Sequence, residues 1–362
     1  MLKYLLILII FISSVYSNEN HNYLLEYYKQ NEIYNKDTNK QYDKFLKSYK
    51  NSLKNYKSNI SKCWQDILIT SKHTFVYYSN NFKQRSIINY KKSTITIEVI
   101  TKDSKLAQIQ IVKRYKKLFE LTHQEAFRNE LILRNTYRNL NIIYDTPIDN
   151  DLLIGEFVDD KYKQNIILKS SLEEYQENIY KDYKYFSSTY KLPKDFKSKN
   201  ENRYINIIKK HAKISKIPYK VYYAMIKIKT SFNPYALTSD ARFSLMLVDP
   251  KEKGLKAYYK LYKDKRILDA SYLYNIENNL LIASTYFSIL YYDEFKNIQD
   301  NKSKLYLSIL AYEIGVDKTL NIFENTEDIN TLNSSIIYKT ILKKTKNRKL
   351  RIYFSKVTRL ML

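Results

Sequence analysis

The spacing of hydrophobic and polar positions changes several times along the chain. Residues 18–60 are polar and rich in Lys, Asn and Tyr, with weak heptad-like apolar spacing, which predicts a loose helical segment. Between 73 and 101 the segments HTFVYYS, RSIINY and STITIEVIT alternate with period two. Ile95, Ile97 and Val99 share one face, and Thr94, Thr96 and Glu98 the other. Their β-branched character predicts a small antiparallel sheet with turns at Ser79-Asn80-Asn81 and Lys91-Lys92-Ser93. From 105 to 140 the period is helical, with Leu106, Ile109, Val112 and Leu118 assigned to one stripe. A loop is expected from Pro147 to Asp151. Ser171 and Glu174 form an S-x-x-E capping box, expected to open a helix carrying Tyr175 and Ile179. The polar stretch KLPKDFKSKNEN, residues 191–202, marks a linker and domain boundary.

Beyond that stretch every segment has helical period. Ile205, Ile208 and Ala212 stripe one helix, and Pro218 opens the next. Val221, Ala224, Met225 and Ile228 form the buried face of that second helix. Further helices are expected near 278–294, with Leu280, Ala283, Phe287 and Leu290 inward, and at 303–312. The fold class is α+β: a small mixed N-terminal domain over 61–195 with an antiparallel sheet, then an all-α domain over 200–362. At the start, residues 1–17 place Lys3 before a short apolar run and end Val15-Tyr16-Ser17. This is the pattern of an export signal, and the run is too short to span a bilayer. No cysteine ends the segment, so no lipid anchor is expected there. The mature chain is expected to be periplasmic or in the cell envelope, and peripheral to a membrane at most.

Composition narrows the chemistry. The chain has 362 residues but only three glycines, Gly155, Gly254 and Gly315, where average usage predicts about 25. No Gly-rich phosphate loop or dinucleotide fingerprint is present. A single cysteine, Cys63, excludes an internal disulfide framework and a cysteine zinc cluster. Four scattered histidines lack metal-ligand spacing, so neither metal nor cofactor is expected. Trp64 beside Cys63 has the character of a packed aromatic and a buried thiol. Lys and Arg total 62 against 37 Asp and Glu, a net charge of +25. A basic surface suits nucleic acid. It equally suits carboxylate-bearing cell-wall peptides, and a drift toward AT-rich codons produces the same bias. No nucleic-acid module occurs, and no nucleic-acid partner is expected.

One stretch carries chemistry. Residues 218–250 read PYKVYYAMIKIKTSFNPYALTSDARFSLMLVDP. They resemble the core of the soluble lytic transglycosylase (SLT) domain, a lysozyme-like fold that cleaves peptidoglycan glycan strands. The family has Glu-Ser, then x-Phe-Asn-Pro-x-Ala, then Gly-Leu-Met-Gln with a proline three residues on. Ser231-Phe232-Asn233-Pro234-Tyr235-Ala236, Leu245-Met246 and Pro250 match. Ala311-Tyr312-Glu313-Ile314-Gly315 occupies the family's Ala/Ser-Tyr-Asn-x-Gly segment. Ser271-Tyr272-Leu273 with Ile276 and Asn278 resembles the stretch before the family's late helix. Phe75 to Ile100, and the tail Arg351 to Thr358, resemble the preceding domain and the C-terminus of membrane-bound lytic murein transglycosylases. The resemblance covers most of 70–360.

The departures fall at the chemistry. Lys229 stands where the resemblance puts the general-acid Glu, Thr230 replaces the Ser after it, Ser244 the Gly, Leu247 the Gln and Glu313 the Asn. The resemblance assigns Thr230, Phe232, Asn233, Met246, Tyr272 and Tyr312 to the substrate groove, although Met246 and Tyr312 also suit a plain core. Cleavage needs a proton on the departing oxygen while positive charge grows on the sugar ring. The family's carboxyl also helps the muramyl 6-hydroxyl close a 1,6-anhydro ring. An ammonium with a reference pKa of about 10.4 is a weak acid at neutral pH, and lost general acid catalysis costs about 10²–10⁴. Its bare charge about 4 Å from the ring adds about 4 kcal/mol of repulsion at an effective dielectric near 20. The expectation is therefore a glycan-strand-binding, catalytically impaired relative. The alternative is an active enzyme with a relocated acid, Glu313 first, with Asp240 and Glu252 behind it. A basic nucleic-acid or adhesion protein is the reading from another class.

Overall fold

A computed structural model describes residues 37–142, 150–171, 176–180, 183–324 and 328–361. The export-signal expectation at 1–17 lies outside them, as do Pro147, Glu174 and Tyr175. The first described element, α1 (37–61), is better ordered in its pattern than the weak heptads suggest. Tyr42, Phe45, Tyr49, Leu53 and Ile60 are buried at steps of three, four or seven, one face of a 3.6-residue helix. That face joins the two halves of the chain. Phe45 packs on Tyr137, Tyr49 meets Phe243 edge-on, and the Tyr49 hydroxyl donates to the Thr238 carbonyl at 2.9 Å.

The expected hairpins form as β1 (Thr74–Tyr78), β2 (Gln84–Asn89) and β3 (Thr94–Ile100). Ile95, Ile97 and Val99 are fully buried, as the alternation requires. The sheet has two more strands, β4 (Gln176–Tyr180) and β5 (Tyr183–Lys191), in the antiparallel order β1-β2-β3-β5-β4. Thus the helix expected to open at Ser171 is a correction. A helix, α5 (Asp160–Ser171), ends there, and Ile179 lies on a strand. β5 escaped notice because its inward face mixes Phe186 with Ser188. That serine is acceptable inside because the Tyr115 hydroxyl, which donates to its carbonyl at 2.8 Å, also reaches its Oγ at 3.4 Å.

The stretch 105–140 is three helices: α2 (Ser104–Glu120), α3 (His123–Arg128) and α4 (Leu131–Asn139). The α2 stripe is rotated from expectation. Leu106 and Ile109 are 42% and 63% exposed, while Ala107, Ile111, Tyr115 and Leu118 are buried. Spacing by three slips back about 60° around the helix at each step, so 106, 109 and 112 never shared a face with 118. Trp64 is packed: its indole donates to the Phe82 carbonyl at 2.6 Å, and the buried Arg85 guanidinium lies 3.9 Å over its ring. Cys63 is only half-buried.

The polar stretch 191–202 is a connection only as far as Asp195, because α6 (Phe196–Ser215) begins inside it. α7 (Tyr219–Thr230), α8 (Leu255–Tyr262), α9 (Ala270–Tyr274), α10 (Ile276–Ser288), α11 (Asn301–Ile314), α12 (Val316–Leu320), α13 (Ser334–Lys344) and α14 (Arg348–Met361) complete the helical region. On α6, Ile208 and Ala212 are buried and Ile205 is half-buried; on α7, Ile226 takes the inward place expected of Ile228. One hydrophobic core runs from Tyr42 through the sheet to Val357.

A titratable group sits at the junction of the halves. His123 is buried and stacked 5.6 Å from Tyr235, and its backbone carbonyl accepts from the Tyr235 hydroxyl. The Arg203 guanidinium donates to His123 Nε2 at 3.1 Å, so the imidazole must be neutral. Burial first, then Arg203, pushes its pKa down to about 3. A histidine lowered on folding is protonated only in the unfolded chain between about 6.5 and 3. Its contribution is therefore intact above pH 6.5 and is lost as pH falls, by about 1.4 kcal/mol per pH unit inside that window. Urea unfolding at pH 7, 6 and 5 should show this slope, and His123→Gln should flatten it; equal slopes would refute the assignment.

Candidate functional site

The site is built around the end of α7. The helix stops because Ser231 and Phe232 both take left-handed backbone, with φ of 53° and 59°. In a chain so poor in glycine, Ala241, Ser244 and Leu247 also hold positive φ in the loop that follows. Each such residue costs roughly 1–3 kcal/mol, so the surroundings must impose it. Ser244, at φ 63°, stands where the resemblance puts glycine. Asn279 on α10 supplies much of that imposition. Its Oδ1 accepts from Met246 N at 3.1 Å, and its Nδ2 donates to the carbonyls of Phe243 (3.1 Å) and Leu273 (2.9 Å).

Of the groove candidates, Thr230, Met246 and Tyr312 come together. The Thr230 hydroxyl donates to the carbonyls of Ile226 and Leu245, and the Tyr312 hydroxyl donates to that of Met246 at 3.2 Å. All three are buried. Phe232 is buried against α6, and Asn233 against the segment before β1. Phe232 stacks on Tyr204 at 6.1 Å, and Asn233 Nδ2 donates to the Ser71 carbonyl at 3.1 Å. All five are buried, so in this conformation they pack behind a groove wall and do not present a surface to a sugar. Tyr272 is half-buried and belongs to a separate cluster with Tyr258, 6.0 Å away, and Arg266.

Lys229 points inward. It is 4% exposed, and its Nζ lies 2.5 Å from Glu313 Oε1 on α11 and 4.5 Å over the Tyr312 ring. Burial pushes its pKa down to about 8, against the pull of Glu313. The Glu313 carboxyl is held below the usual range by the Lys229 ammonium, in spite of its burial. At neutral pH the pair is ionic. Lys253, unremarked in the sequence, is buried beside it, bonded to Asp249 Oδ2 at 2.6 Å and 5.2 Å from the same Tyr312 ring. The i,i+4 spacing of Asp249 and Lys253 was the available signal. Tyr353 on α14 also borders the pair, its phenol pushed well up by burial and the Glu313 carboxylate.

The other acid candidates are no better placed to donate a proton. Asp240 pairs with Arg242 at 2.8 Å and is held low. Glu252 accepts from the Tyr286 hydroxyl at 3.2 Å. Among the described carboxyls with displaced pKa, only Glu130 moves up, to about 7, through burial. It caps α4 by accepting from Leu133 N at 2.6 Å. No cluster of His, Cys, Asp or Glu among the described residues suits a metal.

With this geometry in place, comparison with known proteins is informative. Residues 34–114 match the family model of the membrane-bound lytic murein transglycosylase C N-terminal domain. The chain is 24% identical over 320 residues to the membrane-bound lytic murein transglycosylase C of Haemophilus ducreyi, covering 83% of this chain and 82% of that protein. The proteins of the same name from Pectobacterium atrosepticum and Yersinia pestis are each 24% identical, over 349 and 353 residues, about nine-tenths of either partner. The N-terminal match and the long, low-identity similarity over most of the chain are both to membrane-bound lytic murein transglycosylases C.

Proposed function

We propose that this chain is a peptidoglycan-associated member of the transglycosylase line that holds glycan strands without cutting them. The observation that carries the reading is the buried Lys229–Glu313 pair. At the place the resemblance gives the proton donor stands an ammonium, and that ammonium favours the ionised form of the Glu313 carboxyl, the first candidate to replace it. A group held as the anion cannot protonate a leaving oxygen. The repulsion reckoned for a bare lysine charge is smaller here, because Glu313 neutralises it at 2.5 Å. The Lys229 ammonium, although burial lowers its pKa to about 8, is 4% exposed and donates to Glu313 at 2.5 Å, so silence rests on a proton committed to the counter-ion and on the missing carboxylic acid. The alternative, an active enzyme using Glu313, requires the pair to break and the carboxyl to regain a proton.

An envelope location suits a protein whose relatives are named membrane-bound and murein-acting. No helix among the described residues is long and apolar enough to cross a membrane, so peripheral association is the form proposed. The net charge of +25 favours binding to the carboxylates of the wall. Purified sacculi incubated with the protein should retain it in the pellet while releasing no 1,6-anhydro-muropeptides. A protein that stays in the supernatant sinks the binding reading. Anhydro products that disappear in a Glu313→Gln variant shown by circular dichroism to be folded establish the active alternative.

A further inference from the structure

Opposite the face of α7 that carries Lys229, a cavity of about 220 Å³ opens where five parts of the chain meet. Lys91 comes from the β2–β3 turn, Lys197 and Asn200 from the start of α6, Ser231 from the end of α7, Lys356 from α14 and His73 from the approach to β1. The three lysines are exposed and have no acidic partner among the described residues. A fourth, Lys227, is already neutralised by Glu201 at 2.9 Å. His73 adds no charge: burial and Lys91 push its pKa down, and its Nδ1 lies 3.1 Å from Ser231 Oγ.

Asn200 supplies an independent observation. It is 3% exposed, and its Nδ2 donates to the Phe232 carbonyl at 3.2 Å. Its Oδ1 is buried and has no hydrogen-bond partner. Buried acceptors are nearly always satisfied, so this one calls for a donor. The cavity thus combines a cationic mouth with a buried acceptor in its lining. A carboxylate with a nearby N–H answers both. The volume is that of about seven waters, enough for one amino-acid residue.

We propose that this cavity holds the carboxylate end of a murein stem peptide, with Lys91, Lys197 and Lys356 on the carboxylate and Asn200 Oδ1 on a peptide N–H. The inference rests on the glycan-binding reading above. Ile228 and Ser231 line the cavity while Lys229, between them in sequence, turns to Glu313. One helix end therefore carries both the Lys229–Glu313 pair and a wall of the cavity.

The test compares the full-length protein on intact sacculi and on sacculi stripped of peptides by an amidase. Wild type should bind intact sacculi at least tenfold more tightly. The triple variant Lys91→Gln, Lys197→Gln, Lys356→Gln should bind both at the stripped level. A charge-matched control at three exposed α1 lysines, Lys44→Gln, Lys47→Gln, Lys50→Gln, should keep the difference. Free D-alanyl-D-alanine should compete at least tenfold better than its C-terminal amide. Equal wild-type binding to the two sacculi, a difference that survives the triple variant or vanishes in the control, or equal competition by the amide would overturn the cavity assignment. Failure to bind stripped glycan would instead overturn the reading on which it rests.

Discussion

The double variant Lys229→Glu, Glu313→Asn is expected to release 1,6-anhydro-muropeptides from sacculi about 10²–10⁴ times faster than the wild-type chain, the usual worth of a general acid. The two changes are required together. Lys229→Glu alone would set a second carboxyl against Glu313 in a buried space, where like charges force one to keep its proton and strain the pair. Asparagine, the residue the resemblance puts at 313, removes that charge and keeps hydrogen-bonding capacity. Much of the supporting framework is in place: Asn279 pins the Met246 loop, and Thr230 and Tyr312 hold its carbonyls. The product analysis is chromatographic, with circular dichroism to show that the variant is folded. A folded double variant without activity would mean that the acid is not the only deficit, and Leu247, in place of the family's glutamine, becomes the next suspect.

The sequence revealed the sheet hairpins and most of the helical half because their periods are clean. Val99 and Ile97 alternate without exception, and Leu280, Ala283, Phe287 and Leu290 recur at three and four. It concealed what depends on long-range pairing. Ser188 looks polar until Tyr115 reaches it from α2, and the polar residues after Asp195 look like linker until α6 packs on α10. The position of Lys229 in the motif was legible, but its partner was not. Glu313 lies 84 residues away and has the look of a substitute acid in the sequence, whereas the fold makes it the counter-ion that lets a lysine be buried at all.

That coupling predicts the largest stability effect. Glu313→Gln should destabilise the protein by about 3–5 kcal/mol at pH 7, because removing one partner of a buried pair strands the other charge. Lys229→Met should cost a similar amount, leaving a carboxylate beside the Tyr312 and Tyr353 rings. Lys229→Met with Glu313→Leu should come back close to wild type or exceed it, since neither charge then needs compensation. The pH dependence separates an electrostatic cost from a packing defect. Without Glu313, burial drives the Lys229 pKa below its present value of about 8, while the unfolded chain keeps the ordinary lysine value near 10.4. Between those limits the unfolded state binds the extra proton, so stability rises with pH over a window wider than in wild type. Urea unfolding of Glu313→Gln should accordingly show its deficit shrinking as pH rises toward 8 and staying level above it. A deficit that stays constant would assign the loss to packing, and a double variant as unstable as the sum of the singles would show that the two side chains do not act as a pair.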